Sequence, residues 1–500
     1  LRRCARGRSA DQERKKEVMF SRFRYAAAAL LCLPALASAE LPPALADALS
    51  RTPISSSSVS VWISPAGENR PVLEHRARTL MQPASTIKIA TTLAALDLLR
   101  PDYTWETLVL ADAAPDKKGL VRGITFVGSG DPHLMIEQVW LVVERLRQAG
   151  VRRIEGDIAV DRSAFDVPAS SPGSFDGAAD RSYNVDPDAM LVNLKSVSVT
   201  LEPEANGRWA RVSVLPALEG FSVPERVPLA KGACGVWKDK LKARFTDSGV
   251  SFAGALPASC GIKSLHVSRW SADEYLTRLL RPMLARSGIE WKGKVREARA
   301  KKTSGTVLVR HESAPMASVV RWVNKYSNNT MARHLFLTLS RADGGPADKP
   351  ATLRRGRAVL EAWLEKAAGP LPAGTYVDNG SGLSRRTKIS AETLGRVLNY
   401  GFNSYVMPEL AASLPNAGYD GTMKKRTLKT GSAHIKTGLI QNVRGVAGYV
   451  TDVNARRWSV VVLMNGANLE GDQVFSQAVL GWCARGGAQM LLQAQKARGR

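Results

Sequence analysis

The chain has 500 residues, 44% of them hydrophobic, which is enough for two to four domains with sizeable cores. Lysine and arginine outnumber aspartate and glutamate by 70 to 45, a net charge of +25, yet the basic residues are dispersed. With no arginine-rich arm and no aromatic-basic RNA motif, a nucleic-acid partner is not expected, and an anionic wall or membrane surface suits the charge better. The cysteines lack zinc spacing and the six histidines hold no His-Glu-x-x-His, which argues against a metallopeptidase. No cofactor is expected.

Residues 1–39 read as upstream sequence and a secretory signal. Residues 1–18 are charged and irregular. From Met19 the pattern is basic at Arg22 and Arg24, apolar over Tyr25–Leu36, and closed by Ala37-Ser38-Ala39, an A-x-A cleavage site before Glu40. The apolar run is too short to span a bilayer, and no other stretch is long and apolar enough. Leu31 rather than a small residue precedes Cys32, against a lipid anchor. The expectation is an exported, periplasmic protein without a transmembrane anchor, free to associate peripherally with wall or membrane. The segment carries nine Lys/Arg against three Asp/Glu, so removing its +6 leaves +19. In an oxidising compartment Cys234 and Cys260 are the natural disulfide pair, and Cys483, in an apolar stretch, is expected as a buried free thiol.

Residues 40–103 form the first part of a core. The alternation over residues 57–64 predicts a strand, Pro65-Ala66-Gly67 a turn, and Val72-Leu73 a partner strand. Pro83-Ala84-Ser85-Thr86-Ile87-Lys88 then opens a helix that ends near Arg100-Pro101. Ser85 and Lys88, at i and i+3, share a helix face about 5–6 Å apart at Cβ. Ser85 is the only serine in the chain with lysine at +3. The helix body is apolar nearly all round, which predicts burial on several sides. Burial disfavours the ammonium, so Lys88 is placed to act as a base on the Ser85 hydroxyl.

Residues 104–305 read as an insertion. Short β-like runs recur at 107–110, 124–127, 158–160, 197–201 and 212–215, with one helix over Met135–Ala149 and a loop at 165–182. A β-rich module containing Cys234 and Cys260 is expected to nest at about 200–270. Residues 306–485 complete the core. Pro315–Ser340 is helical, but Ser327-Asn328-Asn329 inside it are poor helix-interior residues and predict a break facing a cleft. A second Ser-x-Asn, Ser182-Tyr183-Asn184, falls in an insertion loop and is rejected. Helices are expected at 350–366 and Ala391–Tyr400, with a turn-rich loop at Asp378–Gly382. Lys-Thr-Gly occurs at 429–431 and 436–438; only the second lies on the first strand of a hairpin over 432–451. A strand at Trp458–Met464 and a helix at 472–484 follow, and 486–500 is expected to be a solvated basic tail. The order predicts an α+β fold in which both ends of the core feed one antiparallel sheet, flanked by helices and split by a large β-rich insertion.

Ser85-x-x-Lys88, Ser327-x-Asn329 and Lys436-Thr437-Gly438, in that order, are the signature set of penicillin-binding proteins and class A β-lactamases. With Gly128-Ser129-Gly130-Asp131-Pro132, Asn324-Lys325-Tyr326, Gly380-Ser381-Gly382-Leu383-Ser384-Arg385 and Asp420-Gly421-Thr422, nearly all of residues 40–485 resembles the low-molecular-mass class C penicillin-binding proteins. These are D-alanyl-D-alanine carboxypeptidase/endopeptidases. The 239 positions from Lys88 to Ser327 fit that family's large insertion.

The resemblance implies a penicillin-binding/β-lactamase-like core and serine acyl transfer on peptidoglycan stem peptides, with β-lactams trapping Ser85. It implies Lys88 as general base, Ser327 as proton relay to the leaving amine, Asn329 holding the substrate amide, and Lys436 supplying positive potential. Thr437 would dock the substrate carboxylate beside Gly438, and the backbone N–H groups of Ser85 and Leu439 would form an oxyanion hole. Asp161, Arg385 and Gln441 match positions associated with a diaminopimelate side chain. Leu439 departs from the Thr or Ser common at its position and removes a hydroxyl. The rival readings are a β-lactamase, for which no deacylating Glu can be placed, and a non-catalytic wall-binding scaffold on the same fold.

Overall fold

The computed structural model describes residues 40–170, 173–298, 305–342, 349–426, 428 and 431–498. The expected signal segment and Lys429-Thr430 of the first Lys-Thr-Gly lie outside the described residues. The core opens with helix α1 (Pro43–Ser50), strands β1 (Val59–Pro65) and β2 (Leu73–His75), and helix α2 (Lys88–Leu99). The insertion carries β3 (Glu106–Ala111), β4 (Thr125–Val127), α3 (Ile136–Gln148), β5 (Ile158–Asp161), α4 (Ala272–Arg286), β6 (Val295–Glu297) and β7 (Thr306–Glu312). Helices α5 (Met316–Tyr326), α6 (Asn329–Thr338), α7 (Leu353–Ala368), α8 (Ala391–Asn403) and α9 (Met407–Ser413) follow. The chain returns through β8 (Ser432–Ile440), β9 (Val443–Thr451) and β10 (Arg457–Asn465) to α10 (Asp472–Ala484) and α11 (Gly487–Arg498).

The core sheet has the order β8-β9-β10-β1-β2 and is antiparallel throughout, with Val61 opposite Val462. Side chains alternate between its faces. Trp62, Ala447, Tyr449, Val461 and Leu463 pack with residues of α2, α5, α6, α7 and α8. Val61, Val446, Val450, Val460 and Val462 pack with α1 and α10 on the other face. Both faces are covered, which is why Trp458–Met464 is a nearly unbroken apolar run. Helix α2 sits inside the helical layer, with Ile89, Ala90, Leu93, Ala94 and Leu96 fully buried. Each large aliphatic among them contributes about 1.5–3 kcal/mol on burial. Its apolarity on all sides is the cause of its central position.

The insertion builds its own mixed sheet, ordered β6-β5-β4-β3-β7. Within it, strands 197–203, 209–215, 226–230, 256–257 and 263–267 form the nested module, where Cys234 and Cys260 are disulfide-bonded. Cys483 is a buried free thiol. Among the described residues no helix is long and apolar enough to cross a membrane.

Three expectations are corrected. The second part of the core does not begin at 306: β7 pairs antiparallel with β3, so the insertion closes on itself near residue 312. Its half-buried alternation, with Val309 and His311 inward, is that of a sheet strand. Helix α4 lacked a sequence prediction because Pro282 lies inside it. The Ser271 cap and the buried Tyr275, Leu276, Leu279, Leu280 and Met283 override that residue. The tail is not solvated coil: α11 buries Ala488, packs Leu491 and Leu492 on the core, and Gln495 donates from Nε2 to the Val72 carbonyl.

Helix α8 lies directly on the Trp62 indole. A Cβ on Gly395 would stand 2.1 Å from Trp62 Cε3. Gly395→Ala therefore costs about 1–3 kcal/mol in overpacking, despite about 1 kcal/mol of helix propensity gained. The expected outcome is a lower thermal denaturation midpoint.

Candidate active site

Ser85 is the one half-exposed residue in an otherwise buried stretch from Pro83 to Ala90. The turn before it is tight. Ala84 has φ of 45°, a left-handed backbone that a non-glycine residue adopts at a cost of about 1–3 kcal/mol. Thr86 Oγ1 holds the turn by donating to the Pro83 carbonyl, 2.7 Å away. Two glycines let the surrounding backbone close on this turn. A Cβ on Gly382 would lie 1.9 Å from the Ala84 carbonyl oxygen, and one on Gly438 would lie 2.8 Å from that of Pro83 and 3.1 Å from the Ser85 nitrogen. Ser85 is thus clamped between the 378–384 loop and β8.

The Lys88 side chain is fully buried and its Nζ touches three oxygens. Ser85 Oγ lies at 2.9 Å, Asn329 Oδ1 at 2.7 Å, and the Ser381 carbonyl also accepts from it. Burial, followed by the charges of Lys436 and Arg333, holds the amine well below the usual lysine range. A neutral amine has two N–H bonds and one lone pair. Asn329 Oδ1 and the Ser381 carbonyl can only accept, so both N–H bonds go to them. The lone pair then faces the one partner with a proton to give, the Ser85 hydroxyl. Such an arrangement is chemically suited to activating a hydroxyl as a nucleophile.

The expected break in the long helix is real. Helix α5 ends at Ser327, left-handed with φ of 56°, and Asn328 caps α6 by accepting from Met331 N–H. The break turns Ser327 Oγ to 2.9 Å from Lys436 Nζ, which also donates to the Thr437 carbonyl at 2.8 Å. Lys436 is fully buried, and desolvation pulls its amine down to about 7. Asn324 and Lys325 fix α5: Asn324 Nδ2 donates to Thr92 Oγ1 and Ser413 Oγ, and Lys325 Nζ to Asp420 Oδ2 at 2.6 Å. Thr422, two residues on from Asp420, stands 2.7 Å from Thr437 Oγ1 at the hydroxyl oxygens. A cavity of about 300 Å³ is lined by Ser85, Ser327, Thr422, Thr437 and Gly438 among others. Three distant segments therefore bring Ser85, Lys88, Ser327, Asn329 and Lys436 together.

Residues 41–485 match the D-Ala-D-Ala carboxypeptidase 3 (S13) family. The chain belongs to this family of serine peptidases. It is 24% identical over 405 residues to the D-alanyl-D-alanine carboxypeptidase DacB of Haemophilus influenzae, covering 80% of this chain and 83% of that one. It is 28% identical over 387 residues to the D-alanyl-D-alanine carboxypeptidase of Actinomadura sp. strain R39, covering 74% and 70%. The crystal structure of penicillin-binding protein 4 (dacB) from Haemophilus influenzae superposes with a TM-score of 0.68 at 22% identity, over 88% of this chain and 99% of that one. The expected fold is the observed one. Membership of the S13 family supports the peptidase reading over a β-lactamase or a scaffold.

In this S13 peptidase Arg385 and Gln441 meet beside the Ser85 turn. Arg385 Nη1 donates to the Gln441 carbonyl at 2.8 Å, and its guanidinium stands 4.9 Å from the Phe175 ring. Phe175, from the insertion, packs with Ala84, Leu383 and Ile440. Asp161 is buried at the end of β5 with Oδ1 accepting from Ser163 N–H. Leu439 is 68% exposed on β8. From the rejected Ser182–Asn184 triplet the Tyr183 carbonyl accepts from Asn329 Nδ2 at 3.5 Å, while Asn184 Nδ2 is held by Asp176. Sequence reasoning gave no role to Thr422, whose motif it noted, nor to the Ser381 carbonyl, because a backbone acceptor leaves no side-chain signal.

Lys436 supplies a pH test. Its amine titrates near 7 when folded and at 10.5 when free. Between these values the unfolded chain binds the extra proton, so the Lys436 contribution to stability rises with pH, by up to about 1.4 kcal/mol per pH unit. Below pH 7 the cost of burying the amine is fully present. Wild-type enzyme is expected to gain stability relative to Lys436→Met as pH is raised from 7 to 10, read by denaturant melts of both proteins.

Proposed function

We propose that the enzyme removes the terminal D-alanine from peptidoglycan stem peptides and cuts D,D-crosslinks, in the periplasm after export. The observation that carries this reading is the fully buried Lys88 amine 2.9 Å from the Ser85 hydroxyl. Ser85 Oγ adds to the carbonyl of the penultimate D-alanine as its proton passes to Lys88 Nζ. The tetrahedral oxyanion is held by the backbone N–H groups of Ser85 and Leu439. The proton that Lys88 took from Ser85 reaches the leaving amine through the Ser327 hydroxyl, the C–N bond breaks, and water hydrolyses the Ser85 ester. Asn329 keeps Oδ1 on Lys88 and presents Nδ2 to the substrate amide. The Lys436 charge raises the cost of protonating Lys88. Thr437, with Gly438 and Leu439 along the same strand edge, lines the docked peptide.

Arg385, Gln441 and Asp161 are assigned to a zwitterionic diaminopimelate side chain. An arginine, an amide and a carboxylate suit its amine and carboxylate. β-Lactams are expected to acylate Ser85 in place of the peptide. A structure of the Haemophilus influenzae relative in complex with a β-lactam, superposing with a TM-score of 0.64, supports a fold that admits such ligands.

Fluorescent penicillin is expected to label the wild-type enzyme stably and Ser85→Ala not at all. Ser85→Ala should also lower D-alanine release from a stem pentapeptide by about 10⁴-fold or more. Rapid loss of label would mark a β-lactamase, and no labelling a scaffold. Because Lys88 must be neutral to accept the proton, kcat/KM should rise with pH along an acid limb that Lys436→Met shifts to higher pH, since removing a neighbouring cation lets Lys88 hold its proton longer. Arg385→Ala is expected to raise KM about tenfold or more for a diaminopimelate-containing substrate, and not for one with an uncharged third side chain. Mass analysis of digested muropeptides separates carboxypeptidase from endopeptidase products.

A further inference from the structure

The cavity at Ser85 does not stop at the catalytic cluster. It continues past Thr437 and Leu439 to Arg426, Arg444 and Asp472, between the hairpin of β8 and β9 and the start of α10. Leu439 and Arg444 are directly opposite each other in the β8–β9 register. The position that lacks a hydroxyl is therefore paired with a guanidinium. Arg444 is held by its own hairpin, with Nη1 donating to the Ile440 carbonyl at 2.8 Å and the Val443 carbonyl at 2.9 Å. Its Nε lies 3.6 Å from Asp472 Oδ2. Arg426 reaches the same space from the other side, with Nη1 3.4 Å from Ser476 Oγ. Burial works against its charge, and Asp472 offsets that in part. Two guanidinium groups thus line this end of the cavity with one carboxylate, which is near Arg444 and acts on Arg426 electrostatically. The lining carries an excess positive charge, partly withdrawn from water, in the space that opens onto the nucleophile.

We propose that Arg426 and Arg444 form an anion subsite for the free carboxylate of the leaving group, in place of the hydroxyl that Leu439 lacks. The inference rests on the assignment of Ser85 as nucleophile. The leaving group is either free D-alanine or the amine-bearing end of a second stem peptide, and both present a carboxylate one carbon from the departing nitrogen. A guanidinium matches a carboxylate with two parallel N–H bonds, and the match strengthens where water is thinned. The volume exceeds what a single alanine needs, which leaves room for the longer residue.

The test compares two stem-peptide substrates, one ending in D-Ala-D-Ala as the free acid and one as the C-terminal amide. Wild-type enzyme should prefer the acid. In R426Q/R444Q the ratio of kcat/KM for acid over amide should fall about tenfold or more, chiefly through KM for the acid. Because both substrates report on the same folded molecules, the ratio is independent of how much protein folds. R426K and R444K, which keep the charge but not the paired N–H geometry, should retain only part of the preference, and Leu439→Thr introduced into R426Q/R444Q should restore part of it. A ratio unchanged within twofold in R426Q/R444Q overturns the subsite. Turnover that persists in Ser85→Ala counts instead against the nucleophile, so the two failures are distinguishable.

Discussion

Two lysine amines share one crease and neither is solvated. Lys88 and Lys436 are both fully buried, and the charge of Lys436 raises the cost of charging Lys88. An isolated ammonium in such a place is expensive, and the available remedy is to lose the proton. The lowered proton affinity of Lys88 is thus a consequence of packing. Helix α2 is apolar on every side, so its first residue is dragged into the core with it. The hydrogen-bond partners then decide what the neutral amine does. Two pure acceptors take its protons, which leaves the lone pair for Ser85. Basicity and aim come from separate parts of the structure, the first from burial and the second from the α5–α6 break and the 378–384 loop.

The crease needs backbone at short range on both sides of the serine. That is the work of Gly382 and Gly438, since a Cβ at either would collide with the Pro83–Ser85 backbone. The same approach forces Ala84 into a left-handed conformation, and the Thr86 side chain secures it. The strained turn persists because sheet, loop and helix all fix it, a common arrangement at sites where a group must be presented before substrate arrives. Glycine in Lys-Thr-Gly is therefore a steric requirement of the Ser85 turn, distinct from the role of its lysine.

Much of this was legible in the sequence, for identifiable reasons. Ser85 and Lys88 stood out because a lysine headed an all-apolar helix. Ser327 and Asn329 stood out because polar residues interrupted an amphipathic one. Lys436 was separable from Lys429 because only the former lay on a hairpin strand. What escaped was information carried by long-range register or by backbone. The pairing of β7 with β3 moved a domain boundary, and nothing local marks it. Helix α4 was hidden by Pro282, whose local penalty is outweighed by six buried side chains. Arg426 and Arg444 are ordinary surface arginines in the sequence. They acquire meaning only when β9 sets Arg444 against Leu439 and the fold brings both arginines and Asp472 to the lining of one cavity.

The insertion is also more than a separate attachment on the core, and a single imidazole shows why. His334, on α6 five residues beyond Asn329, is fully buried, and desolvation holds it down to about 4, so the ring is neutral. Its Nε2 faces the Asp188 N–H at 3.3 Å, and an N–H can only donate, so Nε2 is the acceptor. Nδ1 then carries the proton and donates to the Gly130 carbonyl at 3.1 Å. One ring ties α6 to two insertion loops, while Thr330 Oγ1 donates to the Val185 carbonyl and the Tyr183 carbonyl receives Asn329 Nδ2. The Gly128-Ser129-Gly130-Asp131-Pro132 turn thereby gains a physical purpose, since a Cβ on Gly130 would lie 2.3 Å from the Phe165 ring that packs on His334. The insertion buttresses the helix that carries Asn329, and through Asn329 Oδ1 it fixes one of the two acceptors that orient Lys88.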